Sequence, residues 1–207
     1  MREKRYVFLS DGKEFVFKNK KIENKEVLNV KKLYNAGSLF TDKEQEWRKG
    51  DQEILKGIKE RNENFDFYNP LFNEAINDKS NNPSSKDIYN GDVEELITSS
   101  ILAIDGDDLE KDPGVAWEAG MVAGINLMLE KIKEVAALET YDKILSQIPM
   151  KKIYACYSDC RIPQNDKGIH KAVGFNQFTI GGLEQIGRIF EGKNSRHKMF
   201  EKIEEDL

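Results

Sequence analysis

Two short β-rich runs, Tyr6-Val7-Phe8-Leu9 and Phe15-Val16-Phe17, flank Ser10-Asp11-Gly12, and this spacing predicts a β-hairpin over 5–18. Residues 18–32 are rich in lysine with Glu23 and Glu26 interleaved, the pattern of a solvated connector. From Lys31 onward short apolar runs alternate with stretches of helical periodicity. Strands are expected over 33–36, 65–68, 101–104 and 152–157. Helices are expected over 41–61, 86–98 and 112–137, with a further helical stretch to 148. The end of the chain, 181–207, reads as helix in two pieces split near 192–195. Local chemistry supports these boundaries. Thr41 with Glu44 has the form of a capping box, Ile54, Leu55 and Ile58 supply a stripe for burial, and Ser84 and Ser85 offer caps after Asn81-Asn82-Pro83. Asp112 before Pro113 is a helix start on two counts, an N-cap acceptor followed by a residue whose missing N–H costs nothing there.

Strands alternating with helices through short loops imply an α/β fold, a parallel sheet with helices on both faces. The hairpin and connector, 1–31, stand apart from an α/β domain over 32–207. In such sheets the ligand crevice lies outside the carboxyl ends of the strands, so 35–40, 69–73, 105–118 and 158–161 are where chemistry is expected.

Composition narrows the choices. The 207 residues suit one domain with modest additions; 32 Lys+Arg against 37 Asp+Glu give a net charge of −5, which argues against a nucleic-acid polymer as partner. No apolar run approaches the ~20 residues that span a bilayer, and no leader pattern opens the chain. A cytoplasmic protein without a membrane partner is expected. Cys156 and Cys160 make neither a disulfide framework nor a four-ligand zinc site, and the acidic stretch 105–111 lacks EF-hand spacing, so no metal is expected. There is no GxGxxG and no GxxxxGK[ST], which removes support for dinucleotide or P-loop binding. His170 and His197 are isolated in polar stretches and read as surface residues. Trp47, Phe40 and Phe72 are candidates to stack on an aromatic ligand, whereas Trp117 is expected to pack as core.

Two segments carry the candidate chemistry. Gly37-Ser38 lies between a strand and a capped helix, where a glycine lets backbone N–H groups approach a ligand; a simple turn is the alternative. In Asp112-Pro113-Gly114-Val115-Ala116-Trp117-Glu118-Ala119-Gly120, small residues flank Glu118 on the first turns of a helix that begins at the crevice. Asp92 on the preceding helix adds a third carboxylate. The alternative is that Asp112 only caps and Glu118 faces solvent.

Leu33-Tyr34-Asn35-Ala36-Gly37-Ser38-Leu39-Phe40-Thr41, then Tyr89-Asn90-Gly91-Asp92, then the 112–120 segment, together with Asn176-Gln177-Phe178-Thr179-Ile180-Gly181, resemble the nucleoside 2-deoxyribosyltransferases in order and spacing over roughly 32–187. The resemblance implies a flavodoxin-like (Rossmann-like) sheet and transfer of 2-deoxyribose between nucleobases, as in nucleoside salvage, without a cofactor. It implies Glu118 as the nucleophile that forms a covalent glycosyl-enzyme, Tyr34 as the residue that orients it, and Asp92 and Asp112 as the acids that hold the sugar and handle the base proton. It implies Gly37 and Ser38 as the turn against which the base packs. Asn176 corresponds to an asparagine that reaches a neighbouring subunit's site, which implies a homo-oligomer, a dimer or larger. The ligands implied are a nucleoside or nucleotide and a free base. An N-glycoside hydrolase and a non-catalytic nucleotide-binding module are the alternatives. The chain departs from the family pattern at Ser38, where a proline is usual, in the longer 125–149 stretch, and in the added hairpin.

Overall fold

The computed structural model describes residues 7–10, 13–16, 30–77, 83–108, 112–158 and 177–207. β1 (Val7–Ser10) and β2 (Lys13–Val16) pair antiparallel with Val7 opposite Val16, so the expected hairpin forms as its own two-stranded sheet. The main sheet has five strands, β3 (Lys31–Ala36), β4 (Phe65–Tyr68), β5 (Ile101–Asp105), β6 (Lys152–Tyr157) and β7 (Gly187–Glu191), in the order β4-β3-β5-β6-β7 and all parallel. From β3 the chain steps one way to β4 and then crosses back to β5. The switch point, where loops diverge and leave a crevice, therefore lies between β3 and β5.

The helices are α1 (Asp42–Arg61), α2 (Glu74–Asn77), α3 (Ser85–Thr98), α4 (Pro113–Val135), α5 (Leu138–Leu145), α6 (Gln177–Ile186) and α7 (Ser195–Glu205). Thr41 and Glu44 form the expected capping box on α1, Ser84 with Asp87 forms another on α3, and Asp112 accepts from Gly114 N at the start of α4. Among the described residues no helix is long and apolar enough to cross a membrane.

Strand alternation sends side chains to two faces. Leu33, Ile101, Ala103, Tyr154 and Cys156 pack with Leu55 and Ile58 of α1 and with Met199, Phe200 and Ile203 of α7. Tyr34, Ala36, Leu102, Ile104, Ile153 and Ala155 pack with Leu96 of α3, Val115, Ala119 and Val122 of α4, and Leu183 of α6. The same period of two sorts the polar residues near the strand ends: Asn35 and Asp105 go with the first face, Tyr34 and Tyr68 with the second.

Three expectations need correction. Residues 187–191, read as helix, are the edge strand β7; α6 runs into it without a break, and only Ile189 and Phe190 mark it as apolar. A Cβ on Gly187 would lie 1.6 Å from the carbonyl oxygen of Ile153, so the close approach of β7 to β6 requires a glycine at that point. Trp117 is 64% exposed rather than core, and Ile54 lies at the exposed edge of its stripe, whose place on α1 is taken by buried Arg48 and Asp51.

Candidate active site

β3 and β4 run in register with Tyr34 opposite Tyr68, and both side chains belong to the face covered by α3 and α4. Their rings lie 5.3 Å apart, tilted by 41°. Each phenol ends on a different carboxylate. Tyr34 Oη donates to Glu118 Oε1 at 2.6 Å, and Tyr68 Oη donates to Asp92 Oδ1 at 2.8 Å. Glu118 stands on the second turn of α4 and Asp92 near the middle of α3, so four elements, β3, β4, α3 and α4, meet at these two pairs.

Burial shapes the electrostatics. Loss of water around Glu118 pushes its proton affinity up from the ordinary 4.5 to about 7; the charges of Asp92 and Asp112 add to this, while the Tyr34 hydrogen bond and Arg48 oppose it. Asp92 is raised by burial and by Glu95, with the Tyr68 bond pulling the other way. Tyr34 is fully buried, and burial together with Glu118 and Asp92 pushes its phenol far up, so it is a proton donor at any ordinary pH. Two carboxyl groups with raised proton affinity under one roof can hold different protonation states at neutral pH, which is what acid and nucleophile roles require.

On the opposite face of the same strand ends lies a buried ionic cluster. Arg48 donates to the Ala36 carbonyl (2.9 Å) and to Asp105 Oδ2 (3.0 Å) and lies 3.3 Å from Asp51. Arg196 on α7 grips both carboxylates, with 2.6 Å bonds to Asp51 Oδ1, Asp51 Oδ2 and Asp105 Oδ2, and Asn35 Nδ2 adds a bond to Asp51 at 3.0 Å. Two guanidinium groups offset two carboxylates, and each charge is hydrogen-bonded, which is the condition under which charges tolerate burial. This cluster explains Gly37. A Cβ there would lie 2.2 Å from Arg48 Nη1, so the glycine makes room for the guanidinium that ties down the preceding carbonyl. Ser38 is buried and its hydroxyl bonds Glu44 at the start of α1.

Of the residues singled out from sequence, Tyr34, Asp92, Asp112 and Glu118 converge: Asp92 and Asp112 are near enough for their charges to act on Glu118. Gly37 and Ser38 directly follow β3 in the segment that leads to α1, and Asn176 lies outside the described residues. Phe40, Phe72 and Trp47 are 78%, 47% and 37% exposed, and the guanidinium of Arg196 sits 5.4 Å over the Trp47 ring. His197 is exposed beside Glu201, and Cys156 is buried; His170 and Cys160 lie outside the described residues. Sequence reasoning missed Tyr68 and Asn73, although it marked 69–73 as lining the crevice. The recurrence of tyrosine near the end of two neighbouring strands was the available signal. It also missed Arg48, Asp51, Asp105 and Arg196.

A flavodoxin-order sheet with two phenol–carboxylate pairs beside its switch point defines the class, an α/β protein with a Rossmann-like fold. The family model described as nucleoside 2-deoxyribosyltransferase matches residues 33–169, and the chain belongs to that family. Among solved structures it is similar to a conserved protein from Enterococcus faecalis V583, at 24% identity and a TM-score of 0.57, covering 86% of this chain and 99% of that one. That likeness shows the fold alone. No curated protein matches the sequence.

Proposed function

We propose that the protein transfers 2-deoxyribose between nucleobases through a covalent intermediate on Glu118. The observation that carries this reading is the 2.6 Å bond from Tyr34 to Glu118 Oε1, which fixes the carboxylate and leaves Oε2 to react. Oε2 attacks C1′ of a bound deoxynucleoside; the bond from C1′ to the base nitrogen breaks, its electron pair goes to the base, and the base takes a proton from Asp92. Asp112, whose Oδ1 already caps α4, is left with Oδ2 for a sugar hydroxyl. A second base then attacks C1′ from the same side, returns its N–H proton to Asp92, and releases Glu118 as carboxylate. Partial burial of Glu118 favours this chemistry, because charge developing on the sugar is stabilised most in a site with little water.

Incubation with deoxyinosine and adenine, followed by product separation, tests the reading. Deoxyadenosine is the expected product. Free deoxyribose alone identifies a hydrolase in which water resolves the intermediate, and ligand binding without turnover identifies a binding module.

The same reading makes the protein a homo-oligomer in which Asn176 serves a neighbouring site. Trp117, Leu127 and Met128 of α4, each more than 60% exposed, support a covered face on that helix. Sedimentation of the purified protein is expected to show a dimer or larger; a monomer at working concentrations contradicts it.

A further inference from the structure

Among the described residues, the second phenol–carboxylate pair has a directional order that the first lacks. Asn73 Oδ1 accepts from Ala75 N at 3.1 Å, and this backbone bond settles which end of the amide faces the site. Asn73 Nδ2 therefore donates to Tyr68 Oη, at 2.8 Å. A phenol has one proton. With an N–H already pointing at its oxygen, Tyr68 directs that proton the other way, onto Asp92 Oδ1 at 2.8 Å. The chain of donors thus runs one way, from Ala75 to Asn73 to Tyr68 to Asp92, and ends on one oxygen of the carboxylate. Among the described residues no hydrogen bond to Asp92 Oδ2 is formed.

We infer that Tyr68 is a positioning residue for Asp92: its phenol, aimed by Asn73, occupies Oδ1 and reserves Oδ2 as the oxygen that gives up and takes back the substrate proton. The inference rests on the proposed function only in naming Asp92 as the group that exchanges a proton with the base. Chemically, an acid whose proton can sit on either oxygen presents it to the substrate part of the time. One with Oδ1 engaged as an acceptor presents it at a single place. The bond also favours the carboxylate over the acid, so Asp92 gives its proton up more readily than burial alone would allow.

The other groups facing Asp92 are Glu95 on its own helix, Tyr34 from β3 and Glu118 from α4. The charge of Glu95 makes Asp92 harder to ionise, and the charge of Asp92 in turn raises Glu118. Tyr34 is a neutral phenol already committed to Glu118. Among the described residues Tyr68 is thus the neighbour that supports the ionised form.

The test is a carbon-13 NMR titration of the Asp92 carboxyl in protein labelled at aspartate, with the signal assigned through Asp92→Asn. Tyr68→Phe keeps the ring against Tyr34 and removes only the hydroxyl. It is expected to move the Asp92 midpoint upward by about one pH unit, the size of one hydrogen bond to a charged group. Asn73→Ala leaves the phenol in place but unaimed and is expected to produce a smaller shift of the same sign. This second variant decides the matter should Tyr68→Phe fold poorly. In single-turnover release of hypoxanthine from deoxyinosine, the limb of the pH–rate profile that needs Asp92 protonated moves with the NMR midpoint. An Asp92 midpoint unchanged in both variants overturns the inference, as does a midpoint that moves while the kinetic limb stays still. Failure of the wild-type protein to release base overturns the proposed function instead; the titration then still judges whether Tyr68 governs Asp92.

Discussion

Tyr34 and Glu118 are 84 positions apart in the chain, yet the phenol of one donates a 2.6 Å hydrogen bond to the carboxylate of the other. The bond joins β3, next to the edge strand β4, to the second turn of α4 and holds Glu118 against the sheet, where burial raises its affinity for a proton. It opposes that rise, so it favours the ionised carboxylate as well as placing it.

Tyr34→Phe separates these two effects from packing, because the ring stays and only the hydroxyl goes. Transfer is expected to fall by about 10²-fold, the usual scale for one well-placed polar group at a reacting centre. The acid limb of the pH–rate profile is expected to move to higher pH, since Glu118 loses a bond that favours its charged form. A rate near wild type removes Tyr34 from the orienting role.

The raised proton affinity of Glu118 predicts opposite pH trends for activity and stability. A nucleophile must be ionised, so activity is expected to decline as pH falls through about 7. For stability, the folded chain holds a proton between the ordinary 4.5 and about 7 that the unfolded chain has released; stability therefore falls as pH rises through that window. Glu118→Gln accepts the Tyr34 bond without carrying charge. It is expected to be more stable than the parent at pH 8 by on the order of 2 kcal/mol, and so to melt at a higher temperature, with the gain vanishing below pH 4.5. Calorimetry at several pH values checks this, and a variant no more stable than the parent at pH 8 contradicts it.

Arg48 sits across the sheet from the candidate site and is 1% exposed. Arg48→Met leaves Asp51 and Asp105 with one guanidinium between them, and breaking a buried pair in this way costs about 3 kcal/mol. The substitution is also expected to raise the acid limb of activity, because the Arg48 charge favours ionised Glu118. Gly37→Ala is expected to destabilise through the same cluster, by driving a methyl group into Arg48 Nη1. Thermal melts of the two variants and of the double variant check this; simple addition of the two losses contradicts a shared cause.

Much of this molecule was legible in its sequence. The parallel sheet follows from the alternation of apolar runs and helical periods, and the caps at Thr41, Ser84 and Asp112 are local chemistry that a sequence displays directly. The small residues around Glu118, and the resemblance carried by the order of the segments, singled out the three acids and Tyr34, which the structure brings together. What stayed hidden depends on strand register and on contacts between distant segments. Tyr68 matters because β4 aligns it with Tyr34, which no local pattern encodes. Arg48 and Asp51 occupy positions on the buried face of α1 where apolar residues are the rule, and they fit there only because Arg196, nearly 150 positions later, completes their charges. β7 was missed because its apolar content is slight and helix runs directly into it.

The proposed covalent step is open to direct observation. Brief incubation with a deoxynucleoside in the absence of an acceptor base, acid quenching, proteolysis and peptide mass spectrometry should find a deoxyribosyl adduct on the peptide that contains Glu118, absent in Glu118→Gln. An adduct on another residue, or turnover in which the Gln variant stays active, contradicts the account.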